Sequence, residues 1–433
     1  MSRPLENIIE KGINTIMDKN TIEFINFDIQ ESNITFLVRD NLEDIEREFP
    51  SYLRFNRPVI PSETAIAAAL FTLCHRKYSH IYVDLNIEET VREKFARACR
   101  TEITAKATFV AENKAYRTNQ TPQYAINFSG GFDSIAELCL LPEDVLIMSV
   151  DFQECSWVNE REFFSKFNPY IVETNLRGYG FRAYVGSMGI ASILFRDTLS
   201  IDCQLFGSIM EASTSTMQGE LHDNVGPFWA YGLKSARPIR GLSEVATALI
   251  LVYYKPEIIR ESLNSLSPVG TEKRYRKQVL VQLAAEILGQ NVEIDLVAAP
   301  EKKMNFGSFL ATDFLSLYFI KKLGRDAAQH HLRNIPEEAV SLANRLSLSF
   351  YEKFNPTFLP SFPKELRSYF MARLVEANIL PYDEKDWYEF RKVLEFLSQY
   401  HPKLKEEPQY MEYLKLNKKG ARKGKQEKTT VKE

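Results

Sequence analysis

Apolar and polar residues alternate over 22–30 (IEFINFDIQ) and again over 33–40 (NITFLVRD), with Glu31-Ser32 between them. A period of two predicts a pair of half-buried strands joined by a short turn. After Pro61 the pattern changes. Ser62 stands as an N-cap before 63–76 (ETAIAAALFTLCHR), which reads as a helix. Residues 80–85 (HIYVDL) read as a strand, 88–99 (EETVREKFARAC) as an amphipathic helix and 104–111 (TAKATFVA) as another strand. Residues 1–115 are therefore expected to form a small α+β domain. The polar, turn-rich stretch 113–122 is its expected boundary.

Beyond it, short apolar runs at 124–128 (YAINF), 145–150 (VLIMSV), 170–174 (YIVET) and 201–206 (IDCQLF) are separated by helical stretches. That alternation predicts an α/β, doubly wound parallel sheet over 123–290. Right-handed crossovers put the strands' C-terminal ends on one side, where such sheets bind ligands. From about 255 the pattern turns helical, with 272–288, 336–348 and 384–399 as examples, and 291–412 is expected to be a mostly helical C-terminal region. The tail, 413–433, holds eight Lys/Arg against two Glu and few apolar residues, and reads as a basic disordered tail.

Composition narrows the function classes. Lys+Arg 54 against Asp+Glu 57 gives a net charge of −3, which argues against a dedicated nucleic-acid binder. The five cysteines (74, 99, 139, 155 and 203) include no Cys-x-x-Cys pair, so neither a zinc ribbon nor a disulfide scaffold is expected. No apolar stretch approaches the ~20 residues of a bilayer span, and the first residues lack the apolar region of a secretory signal. The expectation is a soluble, cytoplasmic protein without membrane partners.

The chemistry concentrates in Asn127-Phe128-Ser129-Gly130-Gly131-Phe132-Asp133-Ser134. A strand runs into two glycines and then a helix. Gly130 and Gly131 permit a tight turn that exposes successive N–H groups. The helix start adds unpaired N–H groups and the positive end of its dipole, while Ser129 and Ser134 add hydroxyls. Such a turn fits a pyrophosphate. It is neither a Gly-Lys-Ser/Thr phosphate loop nor a Gly-x-Gly-x-x-Gly fingerprint.

Ser-Gly-Gly-x-Asp-Ser after a strand resembles the loop of the N-type ATP pyrophosphatase (PP-loop) family, nearest its 7-cyano-7-deazaguanine synthase branch. The resemblance covers about 123–250. It implies ATP and Mg²⁺ as cofactors, with the loop Phe128, Ser129, Gly130, Gly131, Asp133 and Ser134 on the phosphates. Val150 and Asp151, in Ser149-Val150-Asp151-Phe152-Gln153, match where the family reads adenine through backbone groups. Gly207 and Glu211, in Leu205-Phe206-Gly207-Ser208-Ile209-Met210-Glu211, look like the fourth strand's end near the reacting phosphate. Ala236-Arg237-Pro238-Ile239-Arg240-Gly241-Leu242-Ser243-Glu244 resembles the closing segment. Two departures stand out. The branch's four-cysteine zinc site has no counterpart, since no cysteine follows Cys203. The family's closing-segment lysine falls on Glu244, and Lys234, Arg237 and Arg240 are candidates to replace it.

The implied chemistry is attack of a substrate carboxylate or amide oxygen on the α-phosphate, release of pyrophosphate, and displacement of AMP by a nitrogen nucleophile. Asp133, Ser134 and Glu211 are the catalytic candidates. Asp133 is the first candidate to meet Mg²⁺, with Glu211 second and Asp151 third. Each carboxylate also has a plain capping or solvated alternative. The substrate is a small molecule such as a deazapurine, or a protein partner, since branch members associated with phage defence are thought to modify proteins. The alternative is a catalytically degenerate nucleotide-binding or assembly subunit of a multi-protein system, favoured by Glu244 and the missing zinc site. A thiolating enzyme of tRNA or DNA is a third reading, supported by the tail and opposed by the unpaired cysteines. Cys155 stands past the second strand as either a nucleophile or a packing residue, and Cys139 and Cys203 read as core. In GELHDNVGPFWAYG, His222 and Asp223 lie on a loop that could cover substrate, with Phe228 and Trp229 either stacking on a base or simply packing. The basic run 271–277 (TEKRYRK) is either an anion contact at a helix start or a solvated face.

Overall fold

The computed structural model describes residues 20–43, 45–74, 76–111, 121–153, 158–181, 185–217 and 226–404. Cys155, His222, Asp223, most of the 113–122 boundary and the tail 413–433 lie outside the described residues. The chain divides into two compact units interleaved in sequence. One comprises 1–129, 144–206 and 223–236, and the other 130–143, 207–222 and 237–433.

The first unit holds a ten-stranded sheet. Its strands are β1 (Thr21–Gln30), β2 (Asn33–Leu42), β3 (Ile45–Phe55), β4 (His80–Glu88), β5 (Glu102–Phe109), β6 (Gln123–Asn127), β7 (Leu146–Asp151), β8 (Tyr170–Glu173), β9 (Ile201–Phe206) and β10 (Lys234–Ala236). They lie in the order β10-β9-β6-β7-β8-β3-β2-β1-β4-β5. The set β10-β9-β6-β7-β8 is parallel throughout, as is β1-β4-β5. Only β1-β2, β2-β3 and β3-β8 are antiparallel. The chain is thus α/β with a large, mostly parallel sheet.

Strands from both sides of the expected 113–122 boundary join this one sheet. The joint is β3 against β8, with Arg54 opposite Glu173 and Phe55 opposite Val172. Asn56 seals it with its side chain: Nδ2 donates to Pro169 O at 2.9 Å and Oδ1 accepts from Ile171 N at 2.7 Å. A single apolar core, from Ile22 and Phe24 to Phe206 and Leu233, runs under both halves. The helix Glu63–Leu73 is capped by Ser62 as its sequence predicts, Oγ accepting from Ala65 N. Cys139 and Cys203 are buried, as expected of core residues. Phe228 is fully buried edge-on against Phe206, ring centroids 5.4 Å apart. It is core, which corrects the substrate-stacking alternative. Its neighbour Trp229 is 55% exposed.

The second unit is helical. The helix Glu272–Leu288 has the bounds its pattern predicts, and Glu384–Leu397 opens on a reciprocal Asp383–Asp386 capping box. The expected helix at 336–348 stops at Arg345, and Leu348 then takes a left-handed φ of 57°. That turn carries a short 3₁₀ segment, Ser349–Glu352, beneath the helix Glu244–Tyr254, where Ser243 Oγ donates to Tyr351 O at 2.5 Å. Gly241 lies against Phe354 and Asn355, just beyond that segment, and Asn355 N donates to Gly241 O at 2.8 Å. A Cβ on Gly241 would stand 2.5 Å from a Phe354 ring carbon and 2.6 Å from Asn355 O. Gly241→Ala is therefore expected to cost about 1–3 kcal/mol, read as a lower midpoint in urea; an unchanged midpoint would refute this packing. No described helix is long and apolar enough to cross a membrane.

Candidate functional site

The parallel register levels the C-terminal ends of the central strands in the first unit: Asn127 faces Phe206, and Asp151 faces Glu173. A small cavity opens at this edge, lined among others by Phe128, Ser129, Val150, Asp151, Phe152 and Arg177. Phe128 is buried, its N donating to Met148 O at 2.8 Å and its O accepting from Ser149 Oγ at 2.6 Å. These bonds fix Phe128, two residues before Gly130. The guanidinium of Arg177 lies 5.2 Å over the Phe152 ring. Asp151 is committed elsewhere. Its Oδ2 meets Arg161 Nη1 at 2.6 Å and accepts from Gln153 Nε2 at 2.8 Å, and Arg161 continues to Glu173 at 2.7 Å. That side chain ties the ends of β7 and β8 together, so its charge is already met by Arg161.

In the second unit, Gly130 has the left-handed φ of 76° that glycine adopts freely, and Gly131 is the N-cap of the helix Phe132–Cys139. The helix starts one residue before Asp133, so Asp133 sits in its first turn and does not cap it. Ser134 Oγ donates to Gly131 O at 2.9 Å, and Ser262 Oγ donates to Gly130 O at 2.9 Å. The Ser134 hydroxyl, expected as a ligand donor, is thus spent on the turn. Gly207 touches the start of this helix: a Cβ there would lie 3.3 Å from Ser134 N and 3.1 Å from Glu137 Oε2.

Beside this turn runs a buried chain of alternating charges. Lys277, from the helix Glu272–Leu288, has a side chain 3% exposed. Its Nζ lies 3.3 Å from Asp133 Oδ1, 2.7 Å from Glu244 Oε1 and 4.9 Å from the centre of the Phe132 ring. The second oxygen of Glu244 pairs with Arg276, whose Nε bonds Glu272 Oε1 at 2.9 Å. Glu244 N, at the start of its own helix, donates to Glu211 Oε1 at 2.7 Å. Asp133 is the outlet of this chain, with a third of its side chain exposed.

Burial sets the protonation of the acids. It pushes the Glu211 carboxyl up to about 8, against the pull of its own backbone hydrogen bond and of Lys277 and Arg276. It raises Glu272 to about 7. Glu137, with no exposure and no hydrogen-bond partner for either oxygen, is raised well above the carboxylate range by burial and then by Asp133. Burial lowers Lys277, while Asp133 pulls the other way. Among the described residues, no group of three or more His, Cys, Asp or Glu is placed to hold a metal ion.

Among the residues singled out in the sequence, Glu211 is linked to the surroundings of the turn through Glu244, while the cation beside Asp133 comes from another segment. Of the three candidate replacements, Lys234 lies on β10 in the first unit, and Arg240 is wholly buried in the 3₁₀ turn Pro238–Gly241. The cation on Asp133 is Lys277. The run 271–277 is no solvated face, since Arg274 and Lys277 are both buried. The available sign was their spacing of three, which puts two basic residues on one helix face. Glu137 was legible only as an acid four residues after Asp133. Comparison with protein-family models, with curated proteins and with solved structures gives no match.

Proposed function

We propose that this chain is an ATP-dependent, AMP- and pyrophosphate-forming enzyme of the PP-loop type, activating a carboxylate or amide oxygen of a small molecule or a partner protein. The observation that carries the reading is the turn at 129–134. A parallel strand ends at Asn127, Gly130 reverses the backbone, and a helix begins at Phe132 with an acid in its first turn. The first N–H groups of a helix have no partner within it, so they and the dipole favour phosphate oxygens.

Mg²⁺ supplies neutralisation of the departing pyrophosphate when bound. Such ions are commonly held by one or two carboxylates together with substrate phosphates, so a single partly exposed acid, Asp133, fits the role. The buried acids act differently. Glu211 accepts from Glu244 N and so fixes the start of the helix that carries Glu244.

The test is calorimetry with Mg·ATP on wild type beside Asp133→Ala, followed by chromatography of the nucleotide. Binding that is lost in the variant, with AMP formed in wild type, is the expected result. No binding by wild type would overturn the reading. The second reading, a nucleotide-binding assembly subunit, is favoured by the acid Glu244 where the resembling family has lysine. It predicts binding with no AMP, whichever carboxylate or protein partner is supplied.

A further inference from the structure

We infer that Lys277 is the resident cation of the 130–134 turn, and that Glu244 is a positioning residue that holds it there. The inference rests on the ATP reading above and names the group that meets the triphosphate. Lys277 arrives on the helix Glu272–Leu288, well over a hundred residues after the turn, yet its Nζ stands 3.3 Å from Asp133. An ammonium group has three N–H donors. Asp133 and Glu244 take two, which leaves one to offer to an incoming phosphoryl oxygen.

Burial gives the charge its reach. In a site largely closed to water, an ammonium acts on nearby charge far more strongly than it does in solvent. Burial also makes the ammonium costly, and Glu244 offsets that cost at 2.7 Å. Glu244 is fixed in turn. It is the first residue of its helix, Ser243 caps that helix, and Arg276 holds its second oxygen. The acid at 244 is therefore the anchor of the cation and no sign of a dead site.

The experiment measures binding of Mg·ATP and of adenosine to the full chain. The proteins are wild type, Lys277→Met, Glu244→Lys and the exchange Glu244→Lys with Lys277→Glu. Circular dichroism and thermal melts establish that each protein folds. Lys277→Met is expected to weaken ATP about ten- to a hundredfold, the range of a charge-assisted hydrogen bond, and to leave adenosine binding unchanged. The exchange should not return ATP binding, because it sets an acid against Asp133 and a second cation against Arg276; binding restored to the wild-type level overturns the inference. A merely structural lysine would move ATP and adenosine together, and that result overturns the inference. So does a Lys277→Met protein that binds ATP as wild type does, in which case the ATP reading itself stands. If wild type binds no ATP, both fall.

Discussion

Replacing Glu244 with leucine is expected to cost about 3–5 kcal/mol of folding stability, while replacing Glu244 and Lys277 together should cost markedly less. The single change strands Lys277 beside Asp133 alone and leaves Arg276 with Glu272 as its only partner in the chain of charges. A buried ammonium that loses its nearest counter-charge keeps its desolvation penalty without the attraction that offset it. Adding Lys277→Met removes the stranded charge and keeps the Arg276–Glu272 pair intact. The non-additivity is the signature, and urea unfolding of the two single variants and the double variant measures it as a double-mutant cycle. Equal losses in the Glu244→Leu and double variants would show that Glu244 contributes by packing alone.

Stability is also expected to fall as pH rises from 6.5 to 8.5, and Glu211→Gln should flatten that slope. The sign follows from the direction of the shifts. Glu211, at about 8, and Glu272, at about 7, both stand above the ordinary carboxylate value in the folded chain. The folded state therefore holds protons that the unfolded chain has released, and raising the pH toward each folded value withdraws the benefit. One such proton corresponds to about 1.4 kcal/mol per pH unit. Glu211 is faced by Asp133, by Lys277 and Arg276, and by the Glu244 N–H; glutamine keeps the size and the acceptor oxygen without the titration. The window starts at 6.5 because His331, lowered to about 3 by burial, acts in the opposite sense below that pH. Thermal midpoints of the two proteins across the window decide the matter. Parallel slopes would remove Glu211 from the account.

Local pattern made most of the elements legible, and long-range pairing is what it left out. Alternation marks β1 and β2, an N-cap serine marks the helix Glu63–Leu73, and strand–glycine–helix order marks the turn at 129–134. The strand β3 went unread because its first half, Ile45 to Glu48, is exposed on both faces and Pro50 interrupts it. The second half does alternate in burial, but Ser51 on the inner face and Tyr52 on the outer hide that period in the sequence. β10 is only three residues long, too short for any period. The charged chain was illegible for another reason. Asp133, Glu244 and Lys277 are far apart in sequence, and a lysine inside a basic run looks solvated until the helix that carries it is packed.

The joint between β3 and β8 has a consequence for synthesis of the chain. When the ribosome has made the first 115 residues, β3 can already pair with β2, but its other edge has no partner until residues 170–173 emerge. Through that interval the end of this edge, Arg54 and Phe55, is unpaired, with open backbone groups that can template pairing with another chain. A fragment cut at the apparent boundary near 115 would keep that edge permanently. Such a fragment is expected to self-associate more than the full chain does, so the place that looks most natural for dividing the protein is the one most apt to make it aggregate.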